Sequence, residues 1–254
     1  MFLAIWWGIL SLSILLLFII TFASIEALNL KGFTSDLILK VFLTVCGIFI
    51  LSFAIFLATS LITIKAFLFS VFSVLLLMII FTLKYKNGFI RHLTVMLFIC
   101  LYIILPLCLV PFLAYNSASE DYNPYLILSI LLIIWVYDSF AYLSGVIFGK
   151  HKIYPSISPK KSWEGFIGGI VFAFLAAYLI SNFNHGYTLN QWFIISLIIA
   201  VAGTVGDFFE SFLKRKAGVK DSGNLLPGHG GILDRFDSFL FAVPVVFIFV
   251  KFII

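Results

Sequence analysis

Charge is scarce in this chain. Only 11% of its 254 residues are Asp, Glu, Lys or Arg, against about a quarter in soluble domains. With 63% hydrophobic residues and 31 phenylalanines, a water-soluble fold is excluded, because too much apolar surface would face water. Cysteine is nearly missing as well. Cys46, Cys100 and Cys108 fall inside apolar runs without metal-ligand spacing and read as small buried hydrophobes. There is no low-complexity linker and no clear internal repeat, so a single membrane domain is the simplest organisation. Nucleic acid is not an implied partner. The net charge of +5 sits in loops, where anionic lipid headgroups and phosphorylated substrates are the natural counterparts.

What fills the chain instead is a series of long apolar runs. About 20 residues at 1.5 Å rise cross a hydrocarbon core, and eight such spans, with seven or nine as the alternatives, fit near residues 2–24, 41–64, 66–83, 93–114, 125–147, 165–181, 192–212 and 238–254. The fold class is therefore an all-α polytopic membrane protein. The second and third spans are separated by a tight turn around Lys65. Residues 1–24 lack an early basic region and a small-residue cleavage site, which reads as an uncleaved span. Lys and Arg alternate between loops. Lys84, Lys86 and Arg91 follow span three, Lys150, Lys152, Lys160 and Lys161 follow span five, and Lys214, Arg215, Lys216 and Lys220 follow span seven. The loops after spans four and six carry no Lys or Arg. By the positive-inside rule the basic loops face the cytoplasm and both termini lie outside.

Acidic residues divide the chain. Residues 1–124 read as membrane scaffold, whereas 125–254 hold seven of the eleven acids and are expected to carry the chemistry. Three constellations lie there. In Asp138-Ser-Phe-Ala-Tyr-Leu-Ser-Gly-Val-Ile-Phe-Gly-Lys150, Asp138, Tyr142, Gly145 and Gly149 share one helix face. An ionisable residue in a span marks a functional site by default, while a packing stripe with a structural Asp–Lys pair is the plain alternative. In Ser158-Pro-Lys-Lys-Ser-Trp-Glu-Gly165, Pro159 and Glu164 are helix-start signals, with Glu164 ahead of the helix, and Lys160 and Lys161 beside a helix N-terminus suit phosphate. A capped helix with snorkelling lysines explains that stretch equally well.

The third constellation is the densest. Asp207, Glu210, Ser211 and Lys214 form one polar stripe at the end of span seven, and Asp234 and Asp237 repeat the three-residue spacing at the entry to span eight. Between them lies Pro227-Gly-His-Gly-Gly231, whose glycines permit backbone conformations closed to other residues and can bring N–H groups against phosphate. Carboxylates on two helix ends suit a hard divalent cation such as Mg²⁺. Zinc does not fit, since no cysteine or second histidine lies nearby.

From Ser211 to Asp237 the chain resembles the phosphatidate cytidylyltransferases, the CDP-diacylglycerol synthases of bacterial inner membranes. The resemblance rests on Ser211, Lys214-Arg215, Lys220-Asp221, Pro227-Gly228-His229-Gly230-Gly231 and Asp234-Arg235-Phe236-Asp237, and extends over roughly 138–237. Serine stands at 139 and 162 where threonine is the family habit. The N-terminal half is similar only in being apolar. The resemblance implies transfer of a cytidylyl group from CTP to phosphatidic acid, with Asp207, Asp234 and Asp237 as ligands to Mg²⁺ and a second, monovalent cation such as K⁺. It implies that Lys220, Asp221 and the 227–231 turn border the nucleotide phosphates, with Lys214, Arg215 and Arg235 offsetting substrate charge. His229 suits phosphate contact or loop packing. Asp138, Tyr142, Lys150, Ser158, Lys160, Lys161, Glu164, Ser211, Gly228, Gly230 and Gly231 are the remaining substrate-binding candidates. A homodimer in the bacterial cytoplasmic (inner) membrane, with its site facing the cytoplasm, completes the implied picture. A CDP-archaeol synthase-like enzyme for another lipid phosphate and an ion-coupled transporter are the alternatives. Charges confined to one half speak against the transporter.

Overall fold

The structure is a computed structural model that describes residues 1–253 except 32, 35, 84–87, 117–120, 184–185 and 224–229. Lys84 and Lys86, Pro227, Gly228 and His229 thus lie outside the described residues. Among those described, eight helices are long and apolar enough to cross a membrane, in agreement with the span count from sequence. The chain divides into two compact units, one comprising residues 1–124 and 217–235, the other 125–216 and 236–254.

The first unit opens with a short helix, α1 (Phe2–Trp7), which Gly8 ends at φ 144°, a backbone conformation that side chains disfavour. Then come α2 (Ile9–Asn29), α3 (Leu37–Ala58) and α4 (Ile64–Leu83). Asp36 caps α3, accepting from the N–H groups of Ile38 at 2.8 Å and Leu39 at 3.4 Å. The turn between α3 and α4 is Thr59–Thr63, so Lys65 stands in the first turn of α4 rather than in the connection. The fourth span is α5 (Phe89–Ile99), a π-helical turn (Cys100–Ile104) and α6 (Leu105–Ala114). Pro106 has no N–H to return to the preceding turn, which accounts for the irregular winding just ahead of it. Residues β1 (Tyr115–Asn116) and β2 (Asp121–Tyr122) form a small antiparallel pair beyond α6. Leu12, Leu16, Ile20, Leu39, Leu43, Ile103 and Leu107 build the apolar core of this unit. The face of α4 carrying Leu68, Phe69 and Phe72 stays exposed, as suits contact with lipid tails.

The second unit begins with α7 (Tyr125–Phe148) and an antiparallel strand pair, β3 (Lys152–Tyr154) and β4 (Ser158–Ser162). It continues with α8 (Trp163–Phe183), α9 (Leu189–Ala217) and α10 (Leu233–Ile248), the last extended by a π-helical turn (Phe249–Ile253). Helix α8 starts before Glu164, placing that residue inside the first turn rather than ahead of the helix. Helix α9 is longer than its apolar run and reaches Ala217, so Asp207 and Glu210 lie well inside it.

Helices α7 and α8 approach closely because small residues meet. A Cβ on Gly165 would stand 2.6 Å from the Ala141 carbonyl oxygen and 3.2 Å from Gly145 Cα. One on Gly169 would stand 2.7 Å from the Tyr137 ring. Between apolar helices, packing of this kind replaces the hydrophobic effect as the source of association. Gly165→Val is therefore expected to destabilise the protein by about 1–3 kcal/mol through overpacking, read as a lowered melting temperature in detergent. An unchanged melt would show that the two backbones can separate without loss.

Candidate active site

In the second unit, β4 and α9 bring together residues distant in sequence. Strand pairing with β3 fixes the backbone at Ser158–Ser162, and Lys161 forms an ion pair with Asp207 on α9. Its ammonium also lies 4.9 Å from the centroid of the Phe208 ring, a favourable face for a cation. Ser211, one turn beyond Asp207, donates to Asp207 Oδ1 at 3.5 Å. Asp138 on α7 and Asp237 on α10 both lie within electrostatic range of Asp207 and of Lys161. Close approach of α9 and α10 depends on Gly206, where a Cβ would meet the Asp237 carbonyl oxygen at 2.5 Å and Phe241 at 3.0 Å. Lys161 and Asp207 are thus in direct contact, and Gly206 lets the backbone of Asp237 come against the same helix.

One turn further along α9, Glu210 and Lys214 pair at 2.5 Å while almost wholly buried. Arg215 is exposed beside them. At the other end of the hairpin, Glu164 accepts from the His151 backbone N–H at 3.2 Å, and His151 Nδ1 lies 2.5 Å from Glu164 Oε1. Glu164 therefore ties the start of α8 to the chain leaving α7. Ser162 Oγ accepts from Gly165 N–H at 3.2 Å and supports the same junction. Gly145 packs against Ser162 and Gly165, so the helix-face reading from sequence describes packing here. Tyr142, Lys150 and Lys160 are exposed.

The first unit holds the rest of the motif. Asp234 Oδ2, in the first turn of α10, accepts from the N–H groups of Gly231 at 2.8 Å and Ser222 at 3.0 Å. Gly230 adopts φ 79°, the left-handed region that its position before this hydrogen-bonded turn requires. Lys220, Asp221 and Arg235 are exposed. Sequence reasoning passed over one residue in this unit. Glu26 is buried and accepts from the Leu233 N–H at 2.8 Å. Ending the first span at residue 24 left Glu26 outside it, whereas α2 runs to Asn29, and an acid within a span is the signal that would have found it.

Among the described residues no group of three or more His, Cys, Asp or Glu side chains has the arrangement of a metal cage. Magnesium does not need one, since it commonly takes one or two carboxylates and fills its other positions with water and substrate phosphate.

Eight apolar helices carrying an ionic cluster define a polytopic helical membrane protein with charged groups held among its spans. Residues 1–253 match the model of the cytidylyltransferase family, and the chain belongs to that family. The match includes the N-terminal half, which by sequence reading was tied to the family only through its apolar character. Curated relatives named phosphatidate cytidylyltransferase include one from Staphylococcus haemolyticus, 44% identical over 134 residues, which is 52% of this chain and 51% of that protein. Another, from Staphylococcus aureus, is 48% identical over 134 residues, 52% of this chain and 50% of that protein. The matched stretch spans about half the length of these curated relatives.

The buried Glu210–Lys214 pair yields a stability prediction. Glu210→Ala leaves an ammonium in a site of low polarity without its carboxylate and is expected to cost about 3 kcal/mol. Glu210→Gln, which keeps an acceptor, is expected to cost less. Thermal unfolding in detergent reads both, and equal melting of all three proteins would remove the pair from the stabilising interactions.

Proposed function

We propose that this chain transfers a cytidylyl group from CTP to phosphatidic acid, releasing pyrophosphate and forming CDP-diacylglycerol. The observation that carries this reading is the Asp207–Lys161 pair, on a helix against which Gly206 brings the backbone of Asp237, in a chain of the cytidylyltransferase family. Relatives bearing the name phosphatidate cytidylyltransferase support the choice of lipid substrate. Family membership does not favour the transporter alternative.

The chemistry asks little covalent help of the protein. A phosphatidate oxygen forms a bond to the α-phosphorus of CTP while the bond from that phosphorus to the bridging oxygen of the β-phosphate breaks. A phosphomonoester with a second pKa near 6 is largely dianionic at neutral pH, so a strong general base is unnecessary. Positioning and neutralisation of charge on the leaving pyrophosphate are the main requirements. Asp207 and Asp237 are the residues proposed to hold Mg²⁺ in the second unit. When bound, a divalent cation there supplies Lewis-acid stabilisation of phosphoryl oxygens. Lys161 orients Asp207 through their ion pair and holds positive charge at the same place. Ser211 shares Asp207 Oδ1 and restricts its rotation. In the first unit, Lys220 and Arg235 provide exposed cations suited to nucleotide phosphates, and Asp234 holds the backbone between Ser222 and Gly231. Positive loops at the ends of the spans fit a site on the cytoplasmic side of a bacterial inner membrane, where CTP is dissolved and phosphatidate arrives laterally. A homodimer and a second, monovalent cation belong to the same proposal through the family resemblance.

Purified protein given phosphatidic acid, CTP and Mg²⁺ is expected to release pyrophosphate, and omission of any one is expected to stop it. Release without the lipid would overturn the proposed acceptor. Asp207→Asn and Asp237→Asn are each expected to lower turnover about 100-fold or more, the usual scale for loss of a group acting on transition-state charge. Both variants should still insert and melt as folded proteins. Turnover within a few-fold of the unaltered chain in either would remove that carboxylate from the site.

A further inference from the structure

Glu26 lies three residues before the end of α2, in a helix that apart from its last residue, Asn29, is otherwise made of apolar and small residues. It is 7% exposed. Among the described residues no Lys, Arg or His pairs with it. A carboxylate so placed is costly unless compensated. Its compensation comes through one oxygen, from donors in the first unit, while Oε1 is buried without a hydrogen-bond partner among the described residues. Oε2 accepts from the N–H of Leu233, the first residue of α10, at 2.8 Å, and from Ser222 Oγ at 3.5 Å. That N–H belongs to the first turn of a helix, where it has no intrahelical acceptor and where the positive end of the helix dipole favours an anion.

The fit is close on either side. A Cβ on Gly223 would stand 2.5 Å from Glu26 Oε1, and its three nearest neighbours would all be Glu26 atoms. A Cβ on Gly231 would meet Glu26 Oε2 and Ser222 Oγ. Asp234 grips the same two stretches, through the Ser222 and Gly231 N–H groups. Two carboxylates, one from α2 and one from α10, therefore hold Ser222 on one side and Gly231 and Leu233 on the other. Neither grip by Glu26 uses a side-chain charge on the partner, so its task is to set backbone position.

We infer that Glu26 is a positioning residue. It anchors Ser222 and Gly223, beside Asp221, and Gly231 with the start of α10, beside Asp234, without touching either substrate. Its effect on turnover rests on the cytidylyltransferase reading, whereas its anchoring of the loop does not.

The test uses the full chain in detergent, with Glu26→Ala, Glu26→Gln, Gly223→Ala and the Glu26→Ala/Gly223→Ala double variant. Glu26→Ala and Gly223→Ala are each expected to lower kcat/KM for CTP about tenfold, a modest share of what misplacement of catalytic groups can cost. KM for phosphatidate is expected to stay within about twofold of its starting value, because the displaced loop is the nucleotide-facing one in this reading. Glu26→Gln keeps an acceptor for the Leu233 N–H and is expected to recover most of the loss. In the double variant the Gly223 methyl occupies the vacated space, so the loss should equal that of Glu26→Ala alone, whereas two independent effects would add. A second readout needs no turnover. Trypsin cleavage after the exposed Lys220, without substrates, is expected to be faster in Glu26→Ala and Gly223→Ala than in the unaltered chain, and equal in Glu26→Ala and the double variant. Additive losses in the double variant, or an unaltered cleavage rate in Glu26→Ala, would overturn the inference. If the unaltered chain released no pyrophosphate, the cytidylyltransferase reading would fail and the cleavage rates would still decide whether Glu26 anchors the loop. Gly223→Ala keeps Glu26 in place as a residue and decides the matter if Glu26→Ala does not fold.

Discussion

A charged side chain among apolar helices has to find its compensation within the protein, because hydrocarbon offers no water to solvate it. Most of the polar architecture of this chain follows from that constraint. Asp207 is matched by Lys161, Glu210 by Lys214, and Glu26 by the N–H of Leu233. Each solution brings its own geometry. A lysine reaches its partner from a strand or from one turn along the same helix, with a flexible stem that tolerates small shifts. A backbone N–H has no stem, so the Glu26 contact fixes the start of α10 at its first residue.

Glycine is the complement of this constraint. Helices without an aqueous hydrophobic effect between them associate through close packing, and Gly165 and Gly169 let α8 rest against the backbone and Tyr137 of α7. Gly206 serves the same end between α9 and α10, bringing the backbone of Asp237 against the helix that carries Asp207. Tyr137, fixed by that packing, makes a buried hydrogen bond to Thr204 at 2.5 Å and so ties α7 to α9. The placement of Asp237 against α9 is thus a by-product of where helix backbones can approach. A larger residue at Gly206 would move Asp237 before it touched any charge.

How far all this can be read from sequence depends on the range of the interaction. Span number is a local property, set by the length of apolar runs, and the eight runs read from composition reappear as eight helices. Helix ends are set by capping and by polar turns that continue past the apolar run. Thus α9 extends to Ala217 through Lys214, Arg215 and Lys216, and α2 extends to Asn29 and takes Glu26 with it. The polar stripe of Asp207, Ser211 and Lys214 was legible because it depends only on helical periodicity. The pairing of Lys161 with Asp207 was not, since the two lie 46 positions apart with all of α8 between them and no spacing rule reaches across it. The same holds for Glu26, whose partners are about 200 positions away.

Acids in the two halves of the chain are held in different ways, and the difference bears on what each can do. Asp207 pairs with a lysine that stays partly open to its surroundings. An exchangeable cation in such a pair can be supplemented when a polyanionic ligand brings further positive charge with it, so this carboxylate remains available for chemistry. Glu26 has given its second oxygen to the Ser222 hydroxyl and to the Leu233 N–H, and the latter cannot leave without unwinding the start of α10. Its first oxygen is closed off by Gly223. Reaction at Glu26 would therefore require local unfolding, whereas reaction at Asp207 requires only the movement of one lysine side chain. On physical grounds the acid of α2 belongs to the framework and the acid of α9 to the site, although both are carboxylates set in apolar helices.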